Sequence, residues 1–373
     1  MGKSLPSVLI FRKRILPYSE TFIAAQGHFL ASYTPCYVGF QHNDSGKPLL
    51  ENSETIVLCD YSRAIGWAKL IYRLGFCPNK AWLDALKNLK PALIHAHFAK
   101  DAIDALRLSE WLDIPLIATI HGHDITQNKV STGYEKKRRR MFQRAGKIIA
   151  VSQFIKERLI KSGCPEEKIV QHYIGIDIEK FTGVKVESES PSVLFVGRLA
   201  EKKGCCYLLD AMARLKPAFP DLALNIVGTG PLENNLRQKA ADLELNANFL
   251  GSRSPQEVKK LMLTSWIFCT PSITAANGDA EGLGMVFLEA QALQTPVVSF
   301  DSGGVGEAVE NGVTGLLSEE KDVTTLADNI AFFLQNREAR LEYGEKGRLR
   351  VVEQFNIAEQ CKKLEQIYQS VTS

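Results

Sequence analysis

The sequence predicts an α/β protein made of two domains, each with a doubly wound parallel sheet. Short β-rich runs alternate with helical segments along the whole chain, which is the pattern of repeated βαβ units. Several of these runs are continuously apolar, as expected for parallel strands buried on both faces. The pattern stops at a polar stretch, Lys185–Pro191, and then starts again. A chain of 373 residues is also long enough for about two domains.

The first domain is expected to cover residues 1–183. Its helices fill the gaps between the strands, for example at Thr21–Leu30, Asp101–Trp111 and Gln153–Lys161. The expected strands are Ser7–Phe11, Pro35–Phe40, Ala92–Ala96, Pro115–Ile120, Lys147–Val151 and Ile169–Tyr173.

The second domain is expected to cover residues 184–355. Ligands of open sheets of this kind bind outside the carboxyl ends of the strands, so chemically active residues are expected directly after them. The expected strands are Ser192–Val196, Ala223–Val227, Asn248–Leu250, Ile267–Thr270 and Pro296–Phe300. The expected helices are Cys205–Leu215, Leu232–Asp242, Gln256–Thr264, Met285–Leu293, Val323–Gln335, Arg337–Gln354 and a last one at Ala358–Val371.

The composition, with 45% hydrophobic and 23% charged residues, is typical of a soluble globular protein. No apolar stretch approaches the ~20 residues of a membrane span. The basic residues Arg12–Arg14 follow the first apolar run rather than precede it, so we expect no signal peptide. The eight cysteines are scattered without a Cys-x-x-Cys pair, so we expect a cytoplasmic protein with reduced thiols and no zinc site.

Charge is distributed unevenly between the two domains. Residues 1–183 hold 26 Lys and Arg against 17 Asp and Glu, whereas residues 184–373 hold 19 against 25. A basic half beside an acidic half indicates an anionic partner for the first domain. For any single cluster, a solvated charged face is the simpler explanation.

Two stretches contribute most to the basic character of the first domain. Residues 63–76 have the pattern of an amphipathic helix with an aromatic and basic margin, which is compatible with a membrane surface. Core packing with a solvated edge is the alternative. The five consecutive cations Lys136–Arg140 stand beside no helix-turn-helix, RNP or zinc-finger signature. An anionic lipid surface or a solvated helix therefore fits them better than nucleic acid.

Cations and glycines follow the expected strands of the second domain. Arg198 and Lys203 come after the first strand and are two cations suited to a diphosphate, with plain surface charge as the alternative. Gly228, after the next strand, belongs to a Gly-x-Gly-x-x-Gly pattern that lacks its third glycine. Gly251 and Ser252 follow the third strand and either line a nucleobase pocket or form a plain turn.

Residues 277–289 contain two carboxylates, Glu281 and Glu289, which bracket Gly282, Leu283 and Gly284. A helix that starts near Leu283 would direct its free N–H groups and positive dipole end at an anion. Eight helical residues span about 12 Å, whereas glycosidase carboxylates lie ~5–9.5 Å apart. We therefore expect Glu281 near a sugar or phosphate and Glu289 near a ribose. A capped helix with solvated acids is the alternative.

Histidines follow two of the expected strands of the first domain. His121 stands in Ile-His-Gly-His-Asp at a strand end, where it can reach a ligand. The alternative is a structural histidine beside Asp124 as a helix cap. His95 and His97 share one face of another strand, but no third zinc ligand accompanies them.

Taken in order, these motifs resemble those of the retaining, nucleotide-sugar-dependent glycosyltransferases of family 4, which have the GT-B architecture. From Val193 to about Leu317 the chain carries Val-Gly-Arg-Leu-x-x-Lys-Lys-Gly, Gly-x-Gly-Pro-Leu, Glu-x7-Glu preceded by Asn-Gly-Asp, and Pro-Val-Val followed by Gly-Gly-x-x-Glu. Upstream, His-Gly-x-Asp, Ala-Val-Ser and Gly-Ile-Asp also match. The early Ser-Glu-Thr-Phe-Ile resembles a subgroup that builds bacterial exopolysaccharides. One such motif is weak, but the ordered series is specific.

The resemblance implies two domains that face each other across a cleft, with the final helix, about residues 356–373, crossing back onto the first. It implies that Arg198 and Lys203 hold the donor diphosphate, and that His121 contacts the sugar near the reacting carbon. Glu289 would bind the ribose hydroxyls. The other implied donor contacts, to the transferred sugar, its phosphate and the base, are Glu281, Gly282, Leu283, Gly284, Gly228, Gly251 and Ser252.

One stretch departs from the family pattern. Many relatives carry a Gly-Gly loop after the first strand, near the donor phosphate, whereas this region is Phe11–Tyr18 here. Either Arg12 or Arg14 replaces the role of that loop, or the region serves the acceptor. The following residues, Ser19 and Glu20, could cap the next helix or contact the acceptor.

The expected chemistry needs no cofactor. Many transferases neutralise the leaving nucleoside diphosphate with a metal ion held by Asp-x-Asp, and no strict Asp-x-Asp exists in this sequence. Two fixed cations and a helix N-terminus can do the same work. The family implies a hexosyltransferase that retains the anomeric configuration, with the acceptor attacking on the face of the leaving group.

The leading hypothesis is a transferase that moves a hexosyl group from a UDP sugar, UDP-glucose first, to a lipid-diphosphate-linked sugar or oligosaccharide in exopolysaccharide synthesis. It would work in the cytoplasm, peripherally on the anionic inner membrane face, and without nucleic acid. GDP sugars remain open as donors. The alternatives are a soluble synthase that acts on a sugar phosphate, and a nucleotide-sugar-binding protein without transfer activity.

Overall fold

The computed structural model describes residues 5–17, 20–50, 52–128 and 130–372. The chain forms two compact units. The first comprises Met1–Ile125, Lys129–Gly175 and Ile357–Ser373, and the second comprises Thr126–Asn128 and Ile176–Asn356. Among the helices of the described residues, none combines the length and the hydrophobicity needed to cross a lipid bilayer.

The first unit is built on a parallel sheet, whose seven strands within the described residues are β1 Ser7–Phe11, β2 Thr34–Gly39, β3 Glu54–Val57, β4 Leu93–His97, β5 Leu116–Ile120, β6 Lys147–Ala150 and β7 Ile169–Gln171. They are ordered β3-β2-β1-β4-β5-β6-β7 across the sheet. The central strands β1, β4 and β5 are almost wholly buried and mostly apolar, because helices cover both faces of a parallel sheet.

Helices connect the strands of the first unit. Several begin at side-chain caps; for example, Ser152 accepts a hydrogen bond from the backbone of Ile155 at 3.2 Å. The helices are α1 Thr21–His28, α2 Leu58–Tyr61, α3 Ile65–Leu74, α4 Lys80–Asn88, α5 Ala99–Leu112, α6 His123–Thr126, α7 Thr132–Arg144 and α8 Gln153–Lys161, with 3-10 turns at Asp44–Leu50 and Glu166–Lys168.

The second unit has its own parallel sheet, whose six strands within the described residues are β8 Ser192–Val196, β9 Ala223–Val227, β10 Ala247–Gly251, β11 Ile267–Cys269, β12 Val297–Phe300 and β13 Gly315–Ser318. The order across the sheet is β10-β9-β8-β11-β12-β13. In both sheets the strand order reverses beside the first strand of the unit. The predicted class, α/β with two doubly wound sheets, is therefore confirmed.

The helices of the second unit flank this sheet. The helix that starts at Pro255 has a clear local cause in the sequence. Ser254 and Glu257 form a reciprocal capping box at its N-terminus, and proline is favoured at the first helical position. The helices are α9 Cys205–Leu215, α10 Glu233–Asp242, α11 Pro255–Thr264, α12 Met285–Ala292, α13 Val305–Ala308, α14 Val323–Gln335 and α15 Arg337–Gln354, with a 3-10 turn at Glu201–Lys203.

The last helix, α16 Ile357–Thr372, belongs to the first unit. Its buried residues Leu364, Ile367 and Tyr368 join one apolar cluster with β-strand residues such as Val8 and Leu93. This contact is the reason that the chain returns to the first unit after the second is complete.

The polar stretch expected to be a domain linker is bound to the second unit instead. The backbone N–H groups of Val186 and Ser188 donate to carbonyl oxygens in the last turn of α11. The Lys185 Nζ donates to two further carbonyl oxygens beside them, at 2.5 and 2.9 Å. This stretch is thus part of the second unit, whose main segment begins at Ile176 rather than at the expected residue 184.

Candidate functional site

The candidate residues of the second unit gather where the strand order of its sheet reverses, between β8 and β11. Arg198 and Lys203 follow β8, and Glu281 follows β11. The carboxyl ends of strands at such a switch point form the ligand crevice of a doubly wound sheet. The sequence placed these residues after strands, and the sheet order brings them to the same point.

The turn after β8 is held close to the loop that follows β11. Gly204 has a φ of +65°, and a Cβ there would lie 1.8 Å from the carbonyl oxygen of Pro271. The Glu201 carboxylate accepts the backbone N–H of Ala276 at 3.0 Å. Glycine at position 204 is thus required both by its conformation and by the close approach of backbone.

Two lysine–carboxylate pairs connect these two segments. The Lys203 Nζ lies 2.5 Å from Glu281 Oε2, and the Lys202 Nζ lies 3.2 Å from Asp279 Oδ1. The side chains of Lys203 and Glu281 are only 16% and 13% exposed. An ion pair that is this well buried is screened little by solvent, so each partner fixes the position of the other.

Glu281 and Glu289 differ in their electrostatics. Burial alone would raise the pKa of Glu281, but the charges of Lys203 and Lys202 and the hydrogen bond from Lys203 hold it below its ordinary value. Burial raises the pKa of Glu289 to about 7, and the charge of Lys203 opposes this only in part. Among the described residues the Glu289 carboxylate has no hydrogen-bond partner. Glu281 is therefore a fixed anion, whereas Glu289 changes its charge near neutral pH.

A glycine pair after β12 supports the backbone at Glu281. The Gly304 N–H donates to the carbonyl oxygen of Glu281 at 2.9 Å. A Cβ on Gly304 would lie 2.1 Å from the carbonyl oxygen of Gly282. The loop after β11 and the loop after β12 are thus in direct backbone contact. The loop after β11 ends at Gly284, which has a φ of +88° and precedes α12, and α12 starts at the expected Met285.

The remaining predicted donor residues lie along the neighbouring strands. Gly228 N–H donates to the carbonyl oxygen of Gly251 at 2.9 Å, which joins the ends of β9 and β10. Ser252 follows β10 at the sheet edge and is exposed. Arg198 is exposed as well, and within the described part of the chain its guanidinium has no hydrogen-bond or ion-pair partner. It is therefore free to bind an anion.

One half-buried acceptor in this region, Glu320, was not anticipated. Glu320, just after β13, accepts hydrogen bonds from the backbone and hydroxyl of Thr274 at 3.0 and 2.8 Å, and from the Ser302 hydroxyl at 2.5 Å. It joins the loops after β11 and β12 and so helps to hold the loop that contains Glu281. Its signal in the sequence is the position after a strand, but that strand was not predicted.

In the first unit, Arg12 binds carboxylates rather than standing free. Its guanidinium donates twice to the Glu20 carboxylate, once at 2.9 Å, and once to Asp101 at 2.5 Å. Burial raises the pKa of Glu20 although Arg12 opposes it. Arg12 is therefore not free to replace a Gly-Gly phosphate loop. Glu20 precedes α1 without capping it through its side chain, and Ser19 lies outside the described residues.

His121 follows β5 and is packed among rings. The ring centroids of Phe22 and Phe98 lie 5.0 and 4.5 Å from its own, and its Nε2 lies 3.0 Å from His97 Nδ1. Burial, with the charge of Arg12, holds the pKa of His121 well below its ordinary value, and burial lowers the pKa of His97 in the same way. Both imidazoles are therefore neutral near pH 7.

Two interpretations of the neighbouring residues are settled by geometry. His95 Nδ1 lies 2.7 Å from the Tyr368 hydroxyl and its Nε2 lies 2.7 Å from the Thr119 hydroxyl, so both nitrogens are hydrogen-bonded and neither remains for zinc. Asp124 accepts the backbone N–H groups of Ala99 and of residue 122, at 2.7 and 3.0 Å. It anchors the start of α5 and the loop after His121, so its role is structural.

Within the described residues, one group of three possible metal ligands lies close together. The ligand atoms of His42, Cys59 and Asp60 are within 4.8 Å of one another. His42 Nε2 lies 2.8 Å from Asp60 Oδ1, so a direct hydrogen bond explains the closest approach. None of the predicted site residues belongs to this group.

The basic cluster Lys136–Arg140 is distributed around helix α7. Arg138 is buried and pairs with Glu135 at 2.6 Å, and Arg139 pairs with the same carboxylate at 3.1 Å. Arg140 pairs with Glu110 at 2.9 Å. Three of the five cations thus pair with carboxylates of the same unit, and two of these three, Arg139 and Arg140, are exposed.

Helix α3 exposes an apolar stripe. Trp67, Leu70, Ile71 and Leu74, which are spaced as one helical face, are all exposed, whereas Ala68 and Tyr72 on the other side are buried. Trp67 is 70% exposed and Phe76, just beyond the helix, is 67% exposed. Of the two interpretations of residues 63–76, the one in which the helix packs its apolar side into the core is therefore wrong.

Two parallel-sheet α/β units with charged residues at their switch points define a protein of the GT-B class. Residues 23–180 match the family model Glycosyltransferase Family 4, and residues 177–350 match the model Glycosyl transferases group 1. The chain belongs to the family 4 glycosyltransferases.

Individual relatives agree with this assignment. The chain is 35% identical over 246 residues to a protein of Escherichia coli described as the colanic acid biosynthesis glycosyltransferase WcaL; the match covers 64% of this chain and 61% of the relative, less than two thirds of it. It is 32% identical to the GDP-mannose-dependent monoacylated alpha-(1-6)-phosphatidylinositol monomannoside mannosyltransferase of Corynebacterium glutamicum, with 68% and 70% of the two chains covered.

Among solved structures, the Anabaena protein Alr3699/HepE in complex with UDP-glucose has a similar fold. The TM-score is 0.78, the identity is 21%, and the match covers 98% of this chain and 99% of the other. At this identity the likeness shows the fold.

Proposed function

We propose that this protein is a retaining hexosyltransferase that uses a nucleoside-diphosphate sugar. The observation that carries the proposal is the buried Lys203–Glu281 pair at 2.5 Å, set at the switch point of the second sheet. Arg198 follows the same strand as Lys203 and has no partner among the described residues. A fixed carboxylate beside two cations suits a ligand that has both sugar hydroxyls and phosphates.

In this proposal each residue of the donor site binds one part of the nucleotide sugar. Arg198 and Lys203 bind the diphosphate. Glu281 accepts hydroxyl groups of the transferred sugar, and Glu289 accepts those of the ribose. The backbone at residues 282–284 and the N-terminus of α12 bind the sugar and its phosphate. Residues 228, 251 and 252 line the base.

UDP-glucose is the first expected donor, because a protein of similar fold has been solved with it. A GDP sugar is the second, because a relative of higher identity is named as GDP-mannose-dependent. A thermal-shift panel of nucleotide sugars separates the two, since a ligand at 100 times its Kd stabilises the folded state by about 2.7 kcal/mol.

The proposed chemistry uses no metal. The leaving nucleoside diphosphate gains negative charge as the glycosidic bond breaks, and Arg198, Lys203 and the N-terminus of α12 stabilise it. His121 contacts the sugar near the reacting carbon as a neutral imidazole. The acceptor hydroxyl attacks on the leaving-group face, which retains the configuration. Activity should therefore persist in EDTA, and a strict Mg²⁺ or Mn²⁺ requirement would contradict this.

The proposed acceptor is a lipid-diphosphate-linked sugar or oligosaccharide, at the inner membrane face, in exopolysaccharide synthesis. Similarity to a protein described as acting in colanic acid biosynthesis supports the process. The exposed stripe of α3, with Arg63 and Arg73 exposed beside it, supports peripheral contact with an anionic bilayer. Glu20 and Ser19 are the proposed acceptor contacts.

The test is a transfer assay with labelled UDP-glucose and GDP-mannose, offered with a polyprenyl-diphosphate-linked sugar in vesicles or with free sugar phosphates. We expect a labelled lipid product whose new linkage is α by NMR. Product on sugar phosphates alone would favour the soluble synthase. Donor binding without any product, and without an effect of Glu281→Ala on function, would favour the non-catalytic binding protein.

A further inference from the structure

A neutral histidine pair lies at the carboxyl ends of two adjacent strands of the first sheet, β4 and β5. His97 is the last residue of β4, and His121 follows the end of the adjacent strand β5. Their ring planes are inclined by only 23° and their centroids are 5.3 Å apart, with His97 Nδ1 and His121 Nε2 3.0 Å apart. His97 is 1% exposed. The contact is thus a hydrogen bond that water does not compete for.

The position of His97 is fixed by its backbone as well as by its ring. Its carbonyl oxygen accepts a hydrogen bond from Arg12 at 3.3 Å, and the next residue, Phe98, donates its N–H to Thr119 at 2.8 Å. Phe98 has a φ of +70°, which is uncommon for a bulky residue and persists only where the surroundings impose it. These contacts hold the backbone at His97 in place, and so restrict where its ring can lie.

Two neutral imidazoles that share one hydrogen bond have one proton between them. If His97 Nδ1 carries it, His121 Nε2 is the acceptor and the proton of His121 is on Nδ1. If His121 Nε2 carries it, its Nδ1 is left as an acceptor. In both cases the tautomer of His121 is tied to that of His97, and the bond restricts the plane of the His121 ring.

We propose that His97 is a positioning residue that sets the tautomer and orientation of His121 for contact with the transferred sugar. The part that concerns the sugar rests on the function proposed above. Among the described residues His121 Nδ1 has no hydrogen-bond partner, so it is the ring atom that remains for a ligand. A histidine whose second nitrogen is held by a partner presents the first in one defined state, as catalytic histidines generally do.

His95, which neighbours His97, supplies a matched control. His95 lies 4.3 Å from His97 between ring centroids, but it is hydrogen-bonded to Tyr368 and Thr119 and not to His121. Tyr368→Phe removes one hydroxyl from His95 and leaves the His97–His121 bond in place. It perturbs the buried network without touching the proposed function of His97.

The experiment reads the tautomer of His121 from its imidazole ¹⁵N shifts by long-range ¹H–¹⁵N NMR of the full chain labelled on its seven histidines, with His121→Gln for assignment. Wild type and Tyr368→Phe should show one neutral tautomer between pH 6 and 8. His97→Leu should show mixed tautomers and a kcat lower by about tenfold or more, with a smaller change in donor KM. His97→Asn, whose amide reaches the Nδ1 position, should restore a single tautomer and most of the kcat.

Two results would overturn the proposal. One is a wild-type His121 that is protonated or populates both tautomers at pH 7, which needs no variant and so does not depend on His97→Leu folding. The other is a folded His97→Leu with an unchanged His121 tautomer and unchanged kcat. A wild-type protein with no transferase activity would refute the proposed function, yet the NMR result would still test the pairing.

Discussion

Replacing Glu289 with Gln should stabilise the protein at high pH while it weakens donor binding. Burial raises the pKa of Glu289 to about 7 from an ordinary 4.5. Between these values the folded protein keeps a proton that the unfolded chain has lost. Its contribution to stability is therefore fully present below pH 4.5 and is lost as the pH rises through 7.

The size of the effect follows from the pKa difference. Each unit corresponds to 1.36 kcal/mol, so ionised Glu289 costs the folded state about 3 kcal/mol once the pH exceeds 8. The amide of Glu289→Gln keeps the shape and never ionises. The variant should exceed wild type in free energy of unfolding by about 2–3 kcal/mol at pH 8, and the gain should vanish near pH 4.5.

Urea unfolding measures this gain, followed by the fluorescence of Trp266, the tryptophan of residues 176–356. Glu353→Gln on α15 is the control, because its side chain is exposed and its effect should stay within about 0.5 kcal/mol at every pH. A Glu289→Gln variant that is less stable than wild type at pH 8, or whose gain does not change with pH, would refute the reasoning.

The other predictions concern the loops of the candidate site in the second unit and the exposed apolar stripe of α3. Lys203→Met should lower the free energy of unfolding by about 3 kcal/mol, because it leaves the Glu281 carboxylate buried without a partner. Adding Glu281→Gln to this variant should recover most of that loss. Additive effects of the two substitutions on the free energy of unfolding would contradict the pairing. Gly204→Ala should destabilise by more than about 1 kcal/mol, since its Cβ would meet a carbonyl oxygen 1.8 Å away, and an unchanged thermal midpoint would argue against that packing. Trp67→Glu with Leu74→Glu should reduce co-sedimentation with anionic vesicles and leave unfolding unchanged; equal vesicle binding would rule out α3 as the membrane contact.

The alternation of apolar runs and helices was enough to predict the fold class. β1, β8 and β9 were predicted to the residue, because buried central strands are continuous apolar runs bounded by turns. The strands β3 and β13 were missed. Both lie at sheet edges and are four residues long, and β3 begins with two exposed residues, so neither has a strong apolar signal.

The candidate site was predictable in position but not in pairing. The rule that ligands bind after parallel strands singled out Arg198, Lys203, Glu281 and His121 from the sequence alone. The pairing of Lys203 with Glu281 depends on the order of the strands across the sheet, and 78 residues separate the partners. No local pattern encodes such a contact.

In the first unit, too, the side-chain pairings could not be predicted from local sequence patterns. Arg12 is a free cation in the sequence, but the fold surrounds it with Glu20 and Asp101, which come from two different connections. His97 was considered as a zinc ligand because it alternates with His95. Its actual partner, His121, directly follows the neighbouring strand β5, so only strand pairing could identify it.

The central claim is that Arg198 and Lys203 recognise a diphosphate. Arg198→Ala is the most direct test, because Arg198 is exposed and unpaired within the described residues, so its loss should leave the fold intact. Calorimetric titration with UDP and with uridine should show that Arg198→Ala loses about 10–100-fold in affinity for UDP and little for uridine, with Arg214→Ala unchanged for both. Equal UDP affinity in wild type and Arg198→Ala would contradict the claim.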